Sequence, residues 1–195
     1  MAAFHPRQII GKWREGYALD VHTVSSVPIG YNEYGHMQFE TTRSELGELF
    51  FRLKYRRDQS VVEAIVDAAA IYLQKWNPGI DLIVPVPPSN NRTLQPVILL
   101  AVALGQRLGI PVEDCIVKTR SALQLKNVFD LDKRLELLDG LHTVEPIVST
   151  GRRILLFDDL YRSGATMNAI ASMLASHGAA AEIFTLTITR TRSFR

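Results

Sequence analysis

The most informative stretch of the sequence is Arg153-Ile154-Leu155-Leu156-Phe157-Asp158-Asp159-Leu160-Tyr161-Arg162-Ser163-Gly164-Ala165-Thr166. It opens with a short apolar run, Ile154 to Phe157, which predicts a buried strand. Two carboxylates follow where that strand should end, and a loop with hydroxyl groups and a glycine comes next. After the loop, apolar residues recur at helical spacing: Met167, Ile170, Ala171 and Leu174. The stretch therefore predicts a strand, an acidic pair, a loop and the beginning of a helix.

This order of elements predicts a site for a phosphorylated sugar. The first turn of a helix carries unpaired backbone N–H groups at the positive end of the helix dipole, so it binds anions. Gly164 lets the backbone approach a phosphate closely, and Ser163 and Thr166 add hydroxyl donors. Asp158 and Asp159 are acceptors suited to ribose hydroxyls or to a hydrated Mg²⁺. A site that binds a phosphate beside a diol suits a ribose 5-phosphate.

These residues resemble the phosphoribosyl-pyrophosphate (PRPP) signature of the type I phosphoribosyltransferases. The resemblance implies that the two acids hold the ribose hydroxyls and Mg²⁺, directly or through water, while the loop wraps the 5′-phosphate. The residues that it implies in PRPP binding are Asp158, Asp159, Leu160, Tyr161, Arg162, Ser163, Gly164, Ala165 and Thr166. Arg162 departs from the commoner Thr, and from the Asp that contacts the base in 6-oxopurine enzymes of this family. An Arg is always protonated, so it cannot act as a general base in place of this Asp.

Two other interpretations fit parts of the stretch. Its apolar run and acidic pair also resemble the Walker B strand of a nucleotide hydrolase, but the sequence has no G-x-x-x-x-G-K-[ST] loop. Alternatively, the acids form a simple turn and Ser163 caps the following helix without any ligand.

Composition sets limits on the class of protein. The chain has 195 residues, of which 47% are hydrophobic, and this suits one globular domain. A net charge of +2 and a pI near 8.8 allow phosphorylated ligands but fall short of a dedicated nucleic-acid binder. Cys115 is the single cysteine, which excludes an intramolecular disulfide and a cysteine-built zinc site. Because no apolar run is long enough for a membrane span and Met1–Arg7 lacks a signal-peptide core, we expect a cytoplasmic protein without a membrane partner.

Outside the signature, the pattern predicts an α/β fold in which a mostly parallel sheet is flanked by helices. Capping boxes at Thr42–Glu45 and Ser60–Glu63 predict two helices. Further helix and strand signals predict a helix over Pro96–Leu108 and strands over 80–84, 112–119 and 181–189. The cations of Arg52–Asp58 could attract phosphates or nucleic acid; the favoured interpretation is that they complement the dipole at a helix end.

The N-terminal residues have a different character. Ile9–Phe39 mixes aromatic, glycine and β-branched residues and predicts short antiparallel strands or an irregular arm. We therefore expect an N-terminal arm or hood over 1–40 and a phosphoribosyltransferase core domain over 41–195. His22 and His36 are expected to be ordinary surface residues.

The family resemblance assigns a second loop to pyrophosphate. This loop follows the first core strand and is rich in small polar groups and proline. The residues implied in pyrophosphate binding are Pro87, Pro88, Ser89, Asn90 and Arg92. The alternative is a proline-rich connector without a ligand.

The resemblance also implies a mobile loop from Arg120 to about His142 that closes over PRPP and shields the transition state from water. Lys118 and Arg120 are the predicted catalytic residues, stabilising charge on the departing pyrophosphate. The alternative is a solvated connector in which these cations have no role.

Within this family the chain looks most like the ComF/GntX-like branch, which is linked to DNA uptake. The features that carry this likeness are Phe39–Thr42, Glu45–Glu48, Leu53–Asp58, Asp81–Pro87, Lys118–Arg120 and Gln124. Two departures are the missing four-cysteine zinc ribbon and the replacement of an Arg-Gly-Phe-Asn-Gln string by Arg92–Pro96.

Three functions follow from these observations. The first is a Mg²⁺-dependent phosphoribosyltransferase that transfers 5-phosphoribosyl to an unknown nitrogenous acceptor and releases pyrophosphate. The second is a non-catalytic regulatory protein that binds PRPP or a nucleotide. The third is a ComF-like accessory protein of DNA uptake, although the modest charge does not favour a nucleic-acid partner. A homo-oligomer is compatible with the sequence.

Overall fold

The computed structural model describes residues 2–88, 94–118, 142–144, 151–177 and 180–192. Its strands are β1 (Arg7–Gln8), β2 (Glu15–Val21), β3 (Thr23–Tyr31), β4 (Met37–Arg43), β5 (Leu82–Pro85), β6 (Ile116–Lys118), β7 (His142–Val144), β8 (Arg152–Tyr161) and β9 (Ala180–Arg190). Its α-helices are α1 (Glu45–Arg56), α2 (Val62–Trp76), α3 (Pro96–Leu108) and α4 (Ala165–Ser176). A single 3₁₀ turn, Gln59–Val61, precedes α2.

The main sheet has five strands in the order β1-β2-β9-β8-β5. All neighbours in it are parallel except β1, which is antiparallel to β2. Two antiparallel pairs, β3–β4 and β6–β7, form separate two-stranded sheets. The predicted α/β class with a mostly parallel sheet flanked by helices is confirmed.

Side chains along β8 alternate between two apolar clusters, so the core has three layers: helices, sheet and helix. Leu155 and Phe157 belong to the apolar cluster that includes α1, α2 and α3, whereas Ile154 and Leu156 belong to the cluster that includes α4. Successive side chains of a strand point to opposite faces of a sheet. The pleat therefore directs Asp158 toward the α4 face and Asp159 toward the face of α1, and this divides the acidic pair.

The segment predicted as an N-terminal arm is divided between two sheets. β2 lies inside the main sheet and runs parallel to β9, with Gly16 opposite Thr185 and Asp20 opposite Thr189. Only β3 and β4 form a hairpin apart from that sheet. Ala18 and Leu19 are completely buried, and this burial favours the pairing of β2 with the centre of the sheet.

The two predicted capping boxes are displaced. Thr42 lies in β4, and α1 is capped instead by Ser44, whose hydroxyl accepts a hydrogen bond from the Gly47 N–H at 3.0 Å. Before α2, the Asp58 side chain caps the 3₁₀ turn and accepts from the Ser60 N–H at 3.1 Å. Both corrections have the same cause, because several capping residue types stand close together and local sequence does not select among them.

Replacing Ser44 by Ala is expected to lower the free energy of unfolding by about 1 kcal/mol. The hydroxyl caps α1 and also donates to the Val21 carbonyl, so its loss leaves two backbone groups without this partner. Urea denaturation followed by circular dichroism measures the change. Ser44→Thr keeps the hydroxyl and serves as the control; equal loss in both variants would contradict the capping role.

Within the described ranges, no helix is both long enough and apolar enough to cross a membrane.

Candidate functional site

The acidic pair lies where β8 extends beyond the end of its pairing with β5. Pairing with β5 ends at Phe157 opposite Pro85, whereas pairing with β9 continues to Tyr161 opposite Arg190. The predicted strand over 154–157 is thus only the buried part of a longer one. Asp158 and Asp159 stand at the carboxyl end of the parallel strands, where ligands bind in open α/β sheets.

Asp158 is held in an environment that disfavours its charge. One of its carboxylate oxygens accepts a hydrogen bond from the Asp159 backbone N–H at 2.7 Å. Burial, together with the neighbouring Asp159 charge, raises the pKa of Asp158 from its ordinary value of 3.8 to about 8. The Lys54 charge offsets this effect only in part, so the acidic pair would gain from a bound cation.

Asp159 has a cationic partner from a distant part of the chain. Lys54 Nζ, near the end of α1, donates to Asp159 Oδ2 at 2.8 Å. The backbone carbonyl of Asp159 accepts from the Thr189 hydroxyl at 3.3 Å, and that hydroxyl lies 3.4 Å from His22 Nδ1. The basic end of α1, interpreted from sequence as complementing the helix dipole, thus contributes a side chain to the site.

His22 is half-buried next to this pair, which corrects its predicted place at the surface. Its ring packs edge-on against Phe50 with centroids 6.2 Å apart. Burial lowers the pKa of His22, and the charges of Arg43 and Lys54 lower it further. His36 is exposed, as predicted.

The loop after the acidic pair turns sharply at Gly164. This residue is buried at φ 75°, in the left-handed region, and an added Cβ would lie 2.6 Å from the Tyr161 hydroxyl. No side chain caps the first turn of α4, and the nearest substitute is a long 3.4 Å contact from the Ala165 N–H to the Ser163 hydroxyl. Arg162 and Ser163 are exposed. The predicted loop is therefore open to solvent at Arg162 and Ser163 and leads directly into the uncapped helix start, where Gly164 and Ala165 are buried.

The remaining signature residues continue the same path. Leu160 and Tyr161 complete β8, and Ala165 and Thr166 form the first two positions of α4. All nine predicted PRPP-binding positions therefore form one continuous strand–loop–helix edge.

The N-terminal segment packs against this loop, which the sequence pattern did not predict. The Lys12 N–H donates to Asn168 Oδ1 at 2.7 Å, and Asn168 Nδ2 donates to the Gly164 carbonyl at 2.9 Å. The Trp13 ring meets the Tyr161 ring edge-on with centroids 6.5 Å apart. Asn168 therefore joins the turn of the loop to a segment far away in sequence.

The structure describes only some of the residues predicted to bind pyrophosphate or to act in catalysis. Pro87 and Pro88 follow β5 and are half-buried, while Ser89, Asn90 and Arg92 lie outside the described residues. Lys118 ends β6, but its side chain, like all of Arg120, lies outside what is described. The predicted closing loop, Arg120 to about His142, also lies outside the described residues, except for His142 at the start of β7. The pyrophosphate and catalytic assignments stay predictions.

A divalent cation fits the acidic pair only with help from a ligand. Among the described residues, no group of three or more His, Cys, Asp or Glu side chains is arranged to hold a metal. Mg²⁺ commonly keeps several waters and binds through one or two carboxylates together with substrate phosphates. Asp158, whose charge is disfavoured, and the second oxygen of Asp159, which Lys54 does not engage, can supply the protein's share of such a site.

Sequence comparison identifies one curated relative. The chain is 26% identical over 153 residues to competence protein ComFC of Bacillus subtilis (strain 168), covering 77% of this chain and 62% of the relative. The chain thus spans less than two thirds of the length of that relative. No family model matches the sequence.

Comparison with solved structures concerns the fold. The glutamine PRPP amidotransferase from B. subtilis, complexed with ADP and GMP, matches with a TM-score of 0.51 and 20% identity, over 80% of this chain and 34% of that one. A structure described as the allosteric regulatory enzyme of purine biosynthesis matches with a TM-score of 0.50 and 19% identity over the same shares, 80% and 34%. The chain has the type I phosphoribosyltransferase fold and resembles the ComF-like proteins in sequence.

Proposed function

We propose that this protein is a PRPP-binding phosphoribosyltransferase that transfers 5-phosphoribosyl to a nitrogenous acceptor. The observation that carries the proposal is the continuous edge formed by the acidic pair, the Gly164 turn and the uncapped start of α4. This edge offers carboxylates for a diol and N–H groups for a phosphate, in the order that a ribose 5-phosphate requires. The fold and the likeness to ComFC support the same class of ligand site.

In the proposed reaction, the acceptor nitrogen forms a bond to C1 of the ribose as the bond from C1 to the pyrophosphate oxygen breaks. Pyrophosphate leaves with the electron pair, and the proton of the acceptor nitrogen passes to water. Asp158 and Asp159 hold the ribose hydroxyls, and Tyr161 to Thr166 hold the 5′-phosphate. Catalysis then comes mainly from positioning the two reactants and from stabilising charge on the leaving group.

The same proposal assigns roles to the predicted groups on the pyrophosphate side. Arg92 and its neighbours in the loop after β5 would bind pyrophosphate, and Lys118 and Arg120 would stabilise its developing charge. Mg²⁺, held by Asp158 and Asp159 together with ligand oxygens, would supply positive charge to the pyrophosphate. We also propose the division into an N-terminal arm or hood over 1–40, which contributes β2 to the main sheet, and a phosphoribosyltransferase core domain over 41–195.

A second function, accessory to DNA uptake, is favoured by one observation, the similarity to competence protein ComFC. The local charges argue against a large DNA-binding patch on α1. Of the cations over 52–57, Arg52 is paired with Asp58 and Lys54 with Asp159, which leaves Arg56 and Arg57 exposed. Lys and Arg bind DNA by neutralising phosphates and releasing the counterions condensed on the DNA, and a cation already paired with a carboxylate contributes less to this. This function therefore ranks second.

We expect calorimetric titration of the wild-type protein with PRPP and Mg²⁺ to show saturable binding at one site per chain. Ribose 5-phosphate and pyrophosphate, titrated separately, report the two halves of the site. Pyrophosphate release is then measured with a panel of nitrogenous acceptors. Binding without release across the panel would favour the regulatory alternative, whereas no binding by protein shown to be folded by circular dichroism would contradict the proposed function.

A further inference from the structure

An ion pair ties helix α1 to the signature acids. Lys54 and Asp159 lie 105 positions apart in the chain, yet their charged atoms are 2.8 Å from each other. The Lys54 side chain is 20% exposed and that of Asp159 is 13% exposed. Because both groups are largely removed from water, salt screens their attraction less than that of a surface pair.

The position of Lys54 is fixed by the packing of α1. Phe50, one helical turn earlier, is 1% exposed, and Lys54 Nζ lies 5.0 Å from the centre of its ring. Residues four apart lie on the same face of a helix, so the Lys54 stem follows the buried side of α1 toward β8. The neighbouring cation Arg52 is instead paired with Asp58. The geometry thus distinguishes Lys54 from the other cations of this helix.

The contact uses one oxygen of the carboxylate. Lys54 engages Asp159 Oδ2, and a carboxylate has a second oxygen that can accept hydrogen bonds from a ligand. Fixing one oxygen selects the rotamer of Asp159 and so sets the direction of the other. It also keeps a positive charge beside two adjacent carboxylates.

We propose that Lys54 is a positioning residue of the ribose site, which orients the Asp159 carboxylate toward the sugar hydroxyls from outside the signature. The inference rests on the proposed function for the identity of the ligand, but the ion pair itself can be tested without any ligand.

Lys54→Met is expected to weaken the binding of PRPP with Mg²⁺, and of ribose 5-phosphate, by about tenfold, as loss of a charged hydrogen bond would. The matched control is Lys75→Met, which removes the same charge from an exposed position in the last turn of α2. Calorimetry should show unchanged affinity for that control. Lys54→Arg, which keeps a donor and the charge, is expected to recover part of the loss.

If Lys54 acts through Asp159, we expect a second result that a merely structural role of Lys54 would not produce. In an Asp159→Ala background, which removes both carboxylate oxygens, Lys54→Met should cause no additional loss of affinity, because its partner is already gone. Equal losses in both backgrounds, or a Lys54→Met protein that binds like the wild type, would overturn the proposal.

Urea denaturation of the wild type, both single variants and the double variant gives a cycle that needs no ligand. We expect the two substitutions to be less than additive in their effects on stability. Strict additivity would show that the pair does not form in solution and would overturn the proposal by itself. If the wild type binds neither ligand, the proposed function fails, and this cycle alone decides whether Lys54 orients Asp159.

Discussion

Asp158→Asn is expected to lose at least about a hundredfold in affinity for PRPP while melting at a higher temperature than the wild-type protein near pH 8. The loss follows from removing a carboxylate that the proposed site uses for the ribose and for Mg²⁺. The higher melting temperature follows from partial burial beside a second carboxylate, because an ionised carboxylate is costly where its hydration is reduced. The amide oxygen of Asn can still accept the hydrogen bond from the Asp159 N–H.

The stabilisation should depend on pH with a definite sign. The pKa of Asp158 is raised from 3.8 to about 8, so between these values the folded state holds a proton that the unfolded state has lost. Stability of the wild type therefore falls as pH rises through this window, and the full contribution is present only below its lower end. Asn does not titrate there. The difference in melting temperature between variant and wild type should grow from pH 4 to pH 8.

Asp159→Asn provides the matched comparison, because it also removes one signature carboxylate. This substitution leaves the partly buried Lys54 charge without a charged partner, and we expect stability to fall instead of rise. Thermal denaturation at several pH values, with calorimetry of PRPP at one pH, measures both quantities. Two variants that change stability in the same direction would contradict the different environments assigned to the two acids.

Gly164→Ala is expected to lower the free energy of unfolding by about 3 kcal/mol and to abolish measurable binding of ribose 5-phosphate. At φ 75° an alanine is strained, and its Cβ would lie 2.6–2.9 Å from the hydroxyl and ring atoms of Tyr161. Relief requires movement of Tyr161 or of the loop, and either movement displaces the N–H groups offered to the phosphate. Urea denaturation and calorimetry measure the two effects.

Gly109→Ala separates the effect of backbone strain from the effect of the contact with Tyr161. Gly109 has φ 69°, so the backbone strain is similar, but an added Cβ would meet no atom within 4 Å. This control should lose only about 1 kcal/mol, the usual difference between glycine and alanine in that conformation, and should bind ligand normally. If both variants lose the same stability, the contact with Tyr161 is not the cause.

The signature region could be predicted from sequence because its information is local. An apolar run, an acidic pair, a glycine turn and a helical repeat each specify their own backbone, and together they predict β8, the loop and α4. Helix α3 is predicted with its observed bounds, since Pro96 begins it and Gly109 follows its last residue.

Features that depend on distant segments could not be predicted in this way. Nothing near Tyr17 indicates that β2 would pair with β9, and nothing near Lys54 indicates a carboxylate partner in β8. One signal was available for Lys54, its position one turn after Phe50 on the buried side of α1. The alternation of β8 could also have shown that its two acids face opposite layers. The N-terminal contacts with Tyr161 and Asn168 have no such local signal.

The place of β9 between β2 and β8 has a consequence for how the chain reaches its native state. β9 is the shared neighbour of both strands, so the sheet remains two separate pieces until this late segment is inserted. During synthesis, the acids of β8 emerge before β9, whose Thr189, next to its last residue, donates to the Asp159 carbonyl. Such long-range parallel pairing slows folding. A nascent chain stopped before β9 would therefore expose two unpaired strand edges and require protection from aggregation.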